Sequence, residues 1–318
     1  RNHYLYDSIR GAGTDADLAP NTTDAENSLN TGTYGYLSTF NPDGFTVVDG
    51  SNSTGNFNSS SQNYVAWTWR AGGPAVANSD GTITSQVSAN TDYGFSIVTY
   101  SGNGTSGATV GHGLTNQTPK FIIVKRRNST GRWAVYYDGM STGDYIYLDL
   151  TDAVSNDSAG WPALPSSSVF TISNNSNWNN SSGTYVAYCW SEVSGFSKFG
   201  SWTGSGSASG NKVTTGFRPR FLMWKRTDTS DNWAMIDSER SSSNPRNEWL
   251  GPFSSDAAGS NAAYAVDFLD DGFELKATHV ATNASGGNYV YMCFADRPGN
   301  NWDVNNIVTN EGLTTSKT

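Results

Sequence analysis

"TYVAYCW" (184–190) decides how this chain is read. Val186, Tyr188 and Trp190 alternate with Tyr185, Ala187 and Cys189, so both faces of the stretch are apolar. Successive side chains of a β-strand point to opposite faces. A strand that is apolar on both is central or covered on both sides. The line returns as "NYVYMCF" (288–294) and stands earlier as "NYVAWTW" (63–69). Three closing lines of one pattern indicate three copies of one β unit.

Other lines repeat around it. "GFSIVTYSG" (94–102) aligns with "GFSKFGSWTG" (195–204), and "PKFIIVKRR" (119–127) with "PRFLMWKR" (219–226). "RWAVYYD" (132–138) aligns with "NWAMID" (232–237), and "SVFTI" (168–172) with "DGFEL" (271–275). Trp133 then falls on Trp233, Cys189 on Cys293 and Phe95 on Phe196. A period near one hundred residues suits one domain and is too long for a solenoid turn. The N-terminal part carries only the later lines: "HYLYD" (3–7) in place of "WAMID", and "DGFTV" (43–47) in place of "DGFEL". Counterparts of "GFSIVTYSG" and "PKFIIVKRR" are missing there, so the leading strands of this first repeat are expected upstream.

The expected organisation follows from these lines. Residues 1–72 are the C-terminal part of a first sandwich repeat, and 73–92 are a linker. Residues 93–193 form a second repeat and 194–298 a third, with a stiff joint between them. Residues 299–318 read as a linker to a further domain.

Composition supports an all-β chain. Charged residues are 15%, Gly numbers 34, and no stretch holds a helical period. Short apolar runs between Gly/Asn/Ser-rich turns predict tandem antiparallel β-sandwiches of jelly-roll, concanavalin A-like type, each of about 100 residues. The net charge of −9 argues against a nucleic-acid surface, and the longest basic patch, Lys125-Arg126-Arg127, reads as the end of a strand. No apolar run reaches the ~18 residues of a membrane-spanning helix.

The side chains that could carry chemistry are few. His3, His112 and His279 lack metal-ligand spacing, and neither a metal nor a cofactor is expected. The closest carboxylate pairs are Asp15/Asp17, Asp149/Asp152 and Asp270/Asp271, all in loops or turns. No strand carries the alternating carboxylates of a sandwich glucanase, so no enzyme is expected. Asp7-Ser8-x-Arg10 recurs as Asp237-Ser238-x-Arg240. It reads as a turn in which Asp accepts backbone N–H groups and pairs with Arg; a ligand-binding pair is the alternative. Cys189 and Cys293 read as small buried strand residues in separate cores, without a disulfide.

Two loop tryptophans are the candidate ligand contacts. Trp161 in "AGWPALP" and Trp178 in "NNSNWNNSSG" lie in polar surroundings. An exposed indole beside the Asn179 amide suits sugar stacking. The alternative is that each ring folds back on the edge of the core.

"YDSIRGAG", "DGFTV", "YVAWTWRAGG", "GFSIVTYSGNGTSGATVGHGL" and "NNIVTNEGLTTSK" together resemble repeated domains of unknown function in long structural proteins of marine tailed phages. The resemblance covers nearly the whole chain. It implies concanavalin A-like or laminin-G-like sandwiches on a virion appendage: a tail fibre, a spike or a head-attached fibre. It implies other virion subunits as partners and a homotrimer in the particle; a host-surface glycan is the partner that the loops of Trp161 and Trp178 would contact. It carries no catalytic residue. The expected function is non-enzymatic host attachment or spacing. The alternatives are head decoration and a carbohydrate-binding module of a carbohydrate-active enzyme.

Overall fold

A computed structural model describes residues 2–52 and 57–295. The linker expected over 299–318 lies outside the described residues. The fold is an antiparallel β-sandwich, and the helical content of the described residues is one turn at Thr31–Tyr34 and one 3-10 turn at Ala262–Tyr264.

The N-terminal segment carries one hairpin, β1 (Tyr36–Asn41) with β2 (Gly44–Val48). The middle segment holds β3 (Val76–Asn78), β4 (Ser85–Asn90), β5 (Phe95–Ser101), β6 (Ala108–Gly111) and β7 (Phe121–Arg126). It continues with β8 (Trp133–Tyr137), β9 (Asp144–Tyr147), β10 (Ser155–Asn156), β11 (Val169–Ile172) and β12 (Thr184–Trp190). The last segment holds β13 (Ser197–Thr203), β14 (Lys212–Thr214), β15 (Pro219–Arg226), β16 (Trp233–Asp237) and β17 (Glu248–Trp249). After these come β18 (Gly259–Ser260), β19 (Val266–Leu269), β20 (Gly272–Leu275) and β21 (Asn288–Ala295).

The opening heptad is β12, at the centre of an eight-stranded sheet ordered β10-β9-β8-β7-β12-β5-β4-β3. Its six residues from Tyr185 to Trp190 are buried, as two apolar faces require. The last segment has a four-stranded sheet, β13-β21-β15-β16. That order matches β5-β12-β7-β8, with β21 in the place of β12. Opposite each large sheet lies a smaller one, β11-β6 in the middle segment and β14-β20-β19 in the last.

The structure corrects three expectations. Residues 73–92 are not a linker, because β3 and β4 extend the large sheet beyond β5. Ser85 and Val87 alternate inward there, a period-2 signal hidden among Ser and Asn. The alignment of Phe95 with Phe196 is one residue out. Phe95 faces Trp190 across the ladder, whereas Ser197 faces Phe294. Nor are the cores separate: one buried cluster runs from Leu18 to Ala295. Trp69 joins its parts, edge-on to Trp190 at 5.9 Å and to Phe294 at 5.6 Å.

Cys189 and Cys293 are free and buried in this core. Burial pushes both thiols well above the usual range. Reducing agent is therefore expected to leave the melting temperature unchanged, and a thiol reagent to react only at the rate of unfolding. Two fast-reacting thiols in the native protein would contradict this burial.

Candidate functional site

The loop tryptophans do not form a sugar platform. Trp161 and Trp178 are each 1% exposed and stack on one another with centroids 5.6 Å apart. Trp161 donates its indole N–H to Val135 O at 3.1 Å, and Trp178 donates to Ser173 Oγ at 2.6 Å. Asn179 is buried as well. Its Oδ1 accepts from Asn103 N at 2.8 Å, and its Nδ2 donates to Thr105 O at 2.8 Å. Asn283 ties the corresponding loop in the last segment, accepting from Ser205 N and donating to Ser207 O. The sugar-stacking expectation is corrected for all three residues. Their polar neighbours satisfy buried donors and acceptors instead of reaching a ligand.

The Asp-Ser-x-Arg motifs are turns. Asp7 Oδ1 accepts from Ile9 N at 3.0 Å and Arg10 N at 2.9 Å, and its Oδ2 pairs with Arg10 Nε. Asp237 accepts from Glu239 N and Arg240 N and pairs with Arg240. The surroundings differ. Tyr188 donates its hydroxyl to Asp7 Oδ2 at 2.7 Å, and Arg10 also holds Glu26 at 2.9 Å. Arg240 lies over the Trp67 ring, 5.5 Å from its centroid.

The histidines serve the backbone. His112 is buried and accepts from Leu114 N at Nδ1, and burial lowers it to about 4. Thr215 accepts from Phe217 N at the matching turn, so a hydroxyl does the same work. His279 accepts from Ala281 N.

The structure also brings together groups that the sequence reading passed over. Trp133 donates its indole N–H to Ala19 O at 3.1 Å and Thr22 O at 3.0 Å. Trp233 donates to Tyr147 O at 3.0 Å. Lys125 Nζ donates to Thr23 O at 3.0 Å, and Lys225 Nζ to Thr151 O at 3.2 Å. Backbone bonds repeat the match: Glu26 N to Arg127 O and Gly131 N to Thr23 O, then Val154 N to Thr227 O and Asp231 N to Thr151 O. Thus residues 19–26 dock on the middle segment as residues 147–154 dock on the last. The signal was present in the sequence as Thr23-Asp24-Ala25 and Thr151-Asp152-Ala153. These triplets lie in loops with no apolar period to flag them.

Burial lowers both lysines to about 8, although nearby aspartates act in the opposite sense. A lysine in the unfolded chain keeps its proton to about 10.4. Between about pH 8 and 10 the unfolded chain therefore binds more protons, and stability rises with pH. Relative to a Lys125→Met/Lys225→Met variant, the native protein is expected to gain on the order of 1–2 kcal/mol from pH 7.5 to 9.5 in urea titrations. An unchanged difference between the two proteins would mean that the carbonyl acceptors hold both lysines charged.

A groove of about 310 Å³ lies where the middle and last segments meet. Tyr137, Asp138, Trp202, Thr203, Thr227 and Asn288 are among its walls. Burial pushes the Tyr137 hydroxyl up to about 12, so it is a neutral hydrogen-bonding group at physiological pH. The walls offer hydroxyl, amide and aromatic surfaces, a set suited to weak polar contacts. No cluster of three or more His, Cys, Asp or Glu able to hold a metal occurs among the described residues. No helix of the described residues is long and apolar enough to cross a membrane.

The domain family of unknown function DUF7483 matches residues 1–298. The chain belongs to this family. The match crosses all three segments as one domain, in keeping with the continuous core. No curated protein and no solved structure matches the chain.

Proposed function

We propose that this DUF7483 chain is a non-enzymatic segment of a phage virion appendage, a tail fibre or spike, that spaces or attaches the particle at the host surface. The observation that carries this reading is the mode of joining. The junction of the N-terminal with the middle segment and that of the middle with the last are each locked by main-chain hydrogen bonds, a lysine cap and shared aromatic packing, which supports a stiff spacer rather than hinged modules. The buried carboxylate–arginine pair of Asp7 with Arg10 is committed to a turn. In the particle the chain would work as a homotrimer beside other virion subunits. Antibody against the purified domain, located on intact particles by electron microscopy, tests this. Label confined to a tail appendage supports the reading; label over the head favours decoration, and unlabelled particles from labelled lysates would overturn both.

The groove beside Tyr137 favours a second reading, a glycan-binding module. Single sites of this size and polarity are weak, and useful attachment comes from many copies together. Asn288→Ala, at an exposed position of the groove wall, displayed multivalently is expected to weaken binding to host-surface glycan while the soluble domain keeps its melting temperature. Equal attachment by parent and variant would remove the groove from the argument.

A further inference from the structure

The large sheet of the last segment ends on an uncovered strand. β13 closes the order β13-β21-β15-β16, whereas its counterpart β5 is followed by β4 and β3. Residues 191–196 alone separate β12 from β13, too short a stretch to lie alongside β13 as β4 lies alongside β5. Alternate residues of an antiparallel pair exchange main-chain bonds, and those between them point away. Ala295 N donates to Phe196 O and Gly204 N to Gly287 O, each at 2.7 Å. With Trp202 opposite Tyr289, these bonds assign Lys198, Gly200 and Trp202 to the β21 ladder. Ser197, Phe199, Ser201 and Thr203 therefore turn their peptide groups to the open edge. On β5 the matching residues Phe95, Ile97 and Thr99 face Asn90, Ser88 and Gln86 of β4.

Some of these groups are engaged at the ends of the strand. Ser197 N donates to Val193 O at 2.9 Å, and Thr203 O accepts from Asn211 Nδ2 at 3.2 Å. Among the described residues nothing bonds the N–H or C=O of Phe199 and Ser201, the C=O of Ser197 or the N–H of Thr203. This pattern is self-complementary. Two copies of β13 laid antiparallel, with Gly200 opposite Gly200, set Phe199 of each against Ser201 of the other, and both exchange N–H and C=O. Ser197 then meets Thr203. Its free C=O takes the free Thr203 N–H, and the groups already engaged fall opposite each other. Lys198 stands across from Trp202, so like charges are not opposed, an arrangement that weakens a strand pair. Gly200 leaves the centre free of side chains. Neither a proline nor a bulge interrupts β13, although such devices are what blunt an open edge. Its one charged residue, Lys198, is paired with Glu192 at 2.7 Å.

We infer that β13 is the docking edge for a second copy of this chain, joined by an antiparallel β13–β13 ladder across a twofold axis at Gly200. The occupant is a copy because free and engaged groups match end for end when the strand faces itself. An isologous contact of this kind closes at two copies. The main-chain ladder supplies the affinity, as in other strand additions. Ser201, Trp202 and Thr203 also border the groove beside Tyr137, but the inference rests on neither reading of function.

Hydrogen exchange and sedimentation of the 318-residue chain test it. In dilute solution the amides of Phe199 and Ser201 are expected to exchange on the order of 100-fold faster than those of Lys198, Gly200 and Trp202, which β21 holds. As the concentration rises from about 1 μM to about 1 mM, the mass should double and the two fast amides should slow to the rate of their neighbours. Slow exchange at Phe199 and Ser201 in the dilute monomer would overturn the inference, because the edge would then be covered within one chain. A doubled mass with both amides still fast would place the contact on another face and overturn it as well. So would a chain that stays monomeric throughout. Ser201→Pro removes an N–H that points away from β21, a change that an edge strand tolerates. This variant should remain monomeric and keep the melting temperature of the parent; dimers that persist in it would refute the ladder. Where the proline variant does not fold, the alternating exchange pattern of the unaltered chain still decides the question.

Discussion

Trp161→Ala and Trp178→Ala are each expected to destabilise the fold by about 3–5 kcal/mol, the range for removing a buried aromatic ring. The two indoles stack face to face, and Trp161 also meets Tyr136 edge-on at 5.7 Å. Removing either leaves a void that the opposite ring cannot fill while its own N–H bond holds. Trp178→Ala also takes the indole donor from Ser173 Oγ and leaves it the longer bond from Asn175 N at 3.4 Å. Urea unfolding followed by circular dichroism measures the loss. A change below about 1 kcal/mol is the scale of a surface site, and would return these residues to the list of ligand contacts.

Asp7→Ala is expected to cost a similar amount, about 3–5 kcal/mol, because it leaves a charge buried without its partner. The Arg10 side chain is fully buried, and Asp7 receives two backbone N–H groups, the Arg10 guanidinium and the Tyr188 hydroxyl. Arg10 is held well above its ordinary range, with Tyr188, Asp7 and Glu26 as the favourable neighbours against desolvation. It therefore cannot escape by losing its proton. Glu26 remains after the substitution and offsets part of the loss. The double variant Asp7→Ala/Arg10→Met should be more stable than Asp7→Ala alone, since the stranded cation is gone. If the double variant is the weaker of the two, the pair is not what holds this turn. Tyr188 lies on β12 and Asp7 in the N-terminal segment, so the same experiment probes how firmly those segments are joined.

Local pattern made much of this protein legible in its sequence. Two-faced apolar alternation in "TYVAYCW" and "NYVYMCF" identified central strands, since only a strand paired on both edges and covered on both faces buries such a line. The spacing of Asp7 to Arg10 and of Asp237 to Arg240 identified a turn, because both ends of the interaction lie within four residues. Such features need no distant partner to be recognised. The sequence alone was less reliable where polarity and burial diverged. Trp161, Trp178 and Asn179 sit among Asn and Ser that looked like solvent-facing loop. Only the closed fold shows those polar groups turned inward to bind one another and the main chain. Lys125 and Lys225 stand near the ends of β7 and β15, and nothing beside them in the sequence marks a partner. Their role depends on carbonyls of Thr23 and Thr151, the former 102 positions away along the chain. Spacing within the chain determined which residues form strands and turns. The joining of segments into one aromatic core was decided by tertiary structure, because a backbone carbonyl carries no side-chain signature and its partner is chosen by where the whole chain brings it.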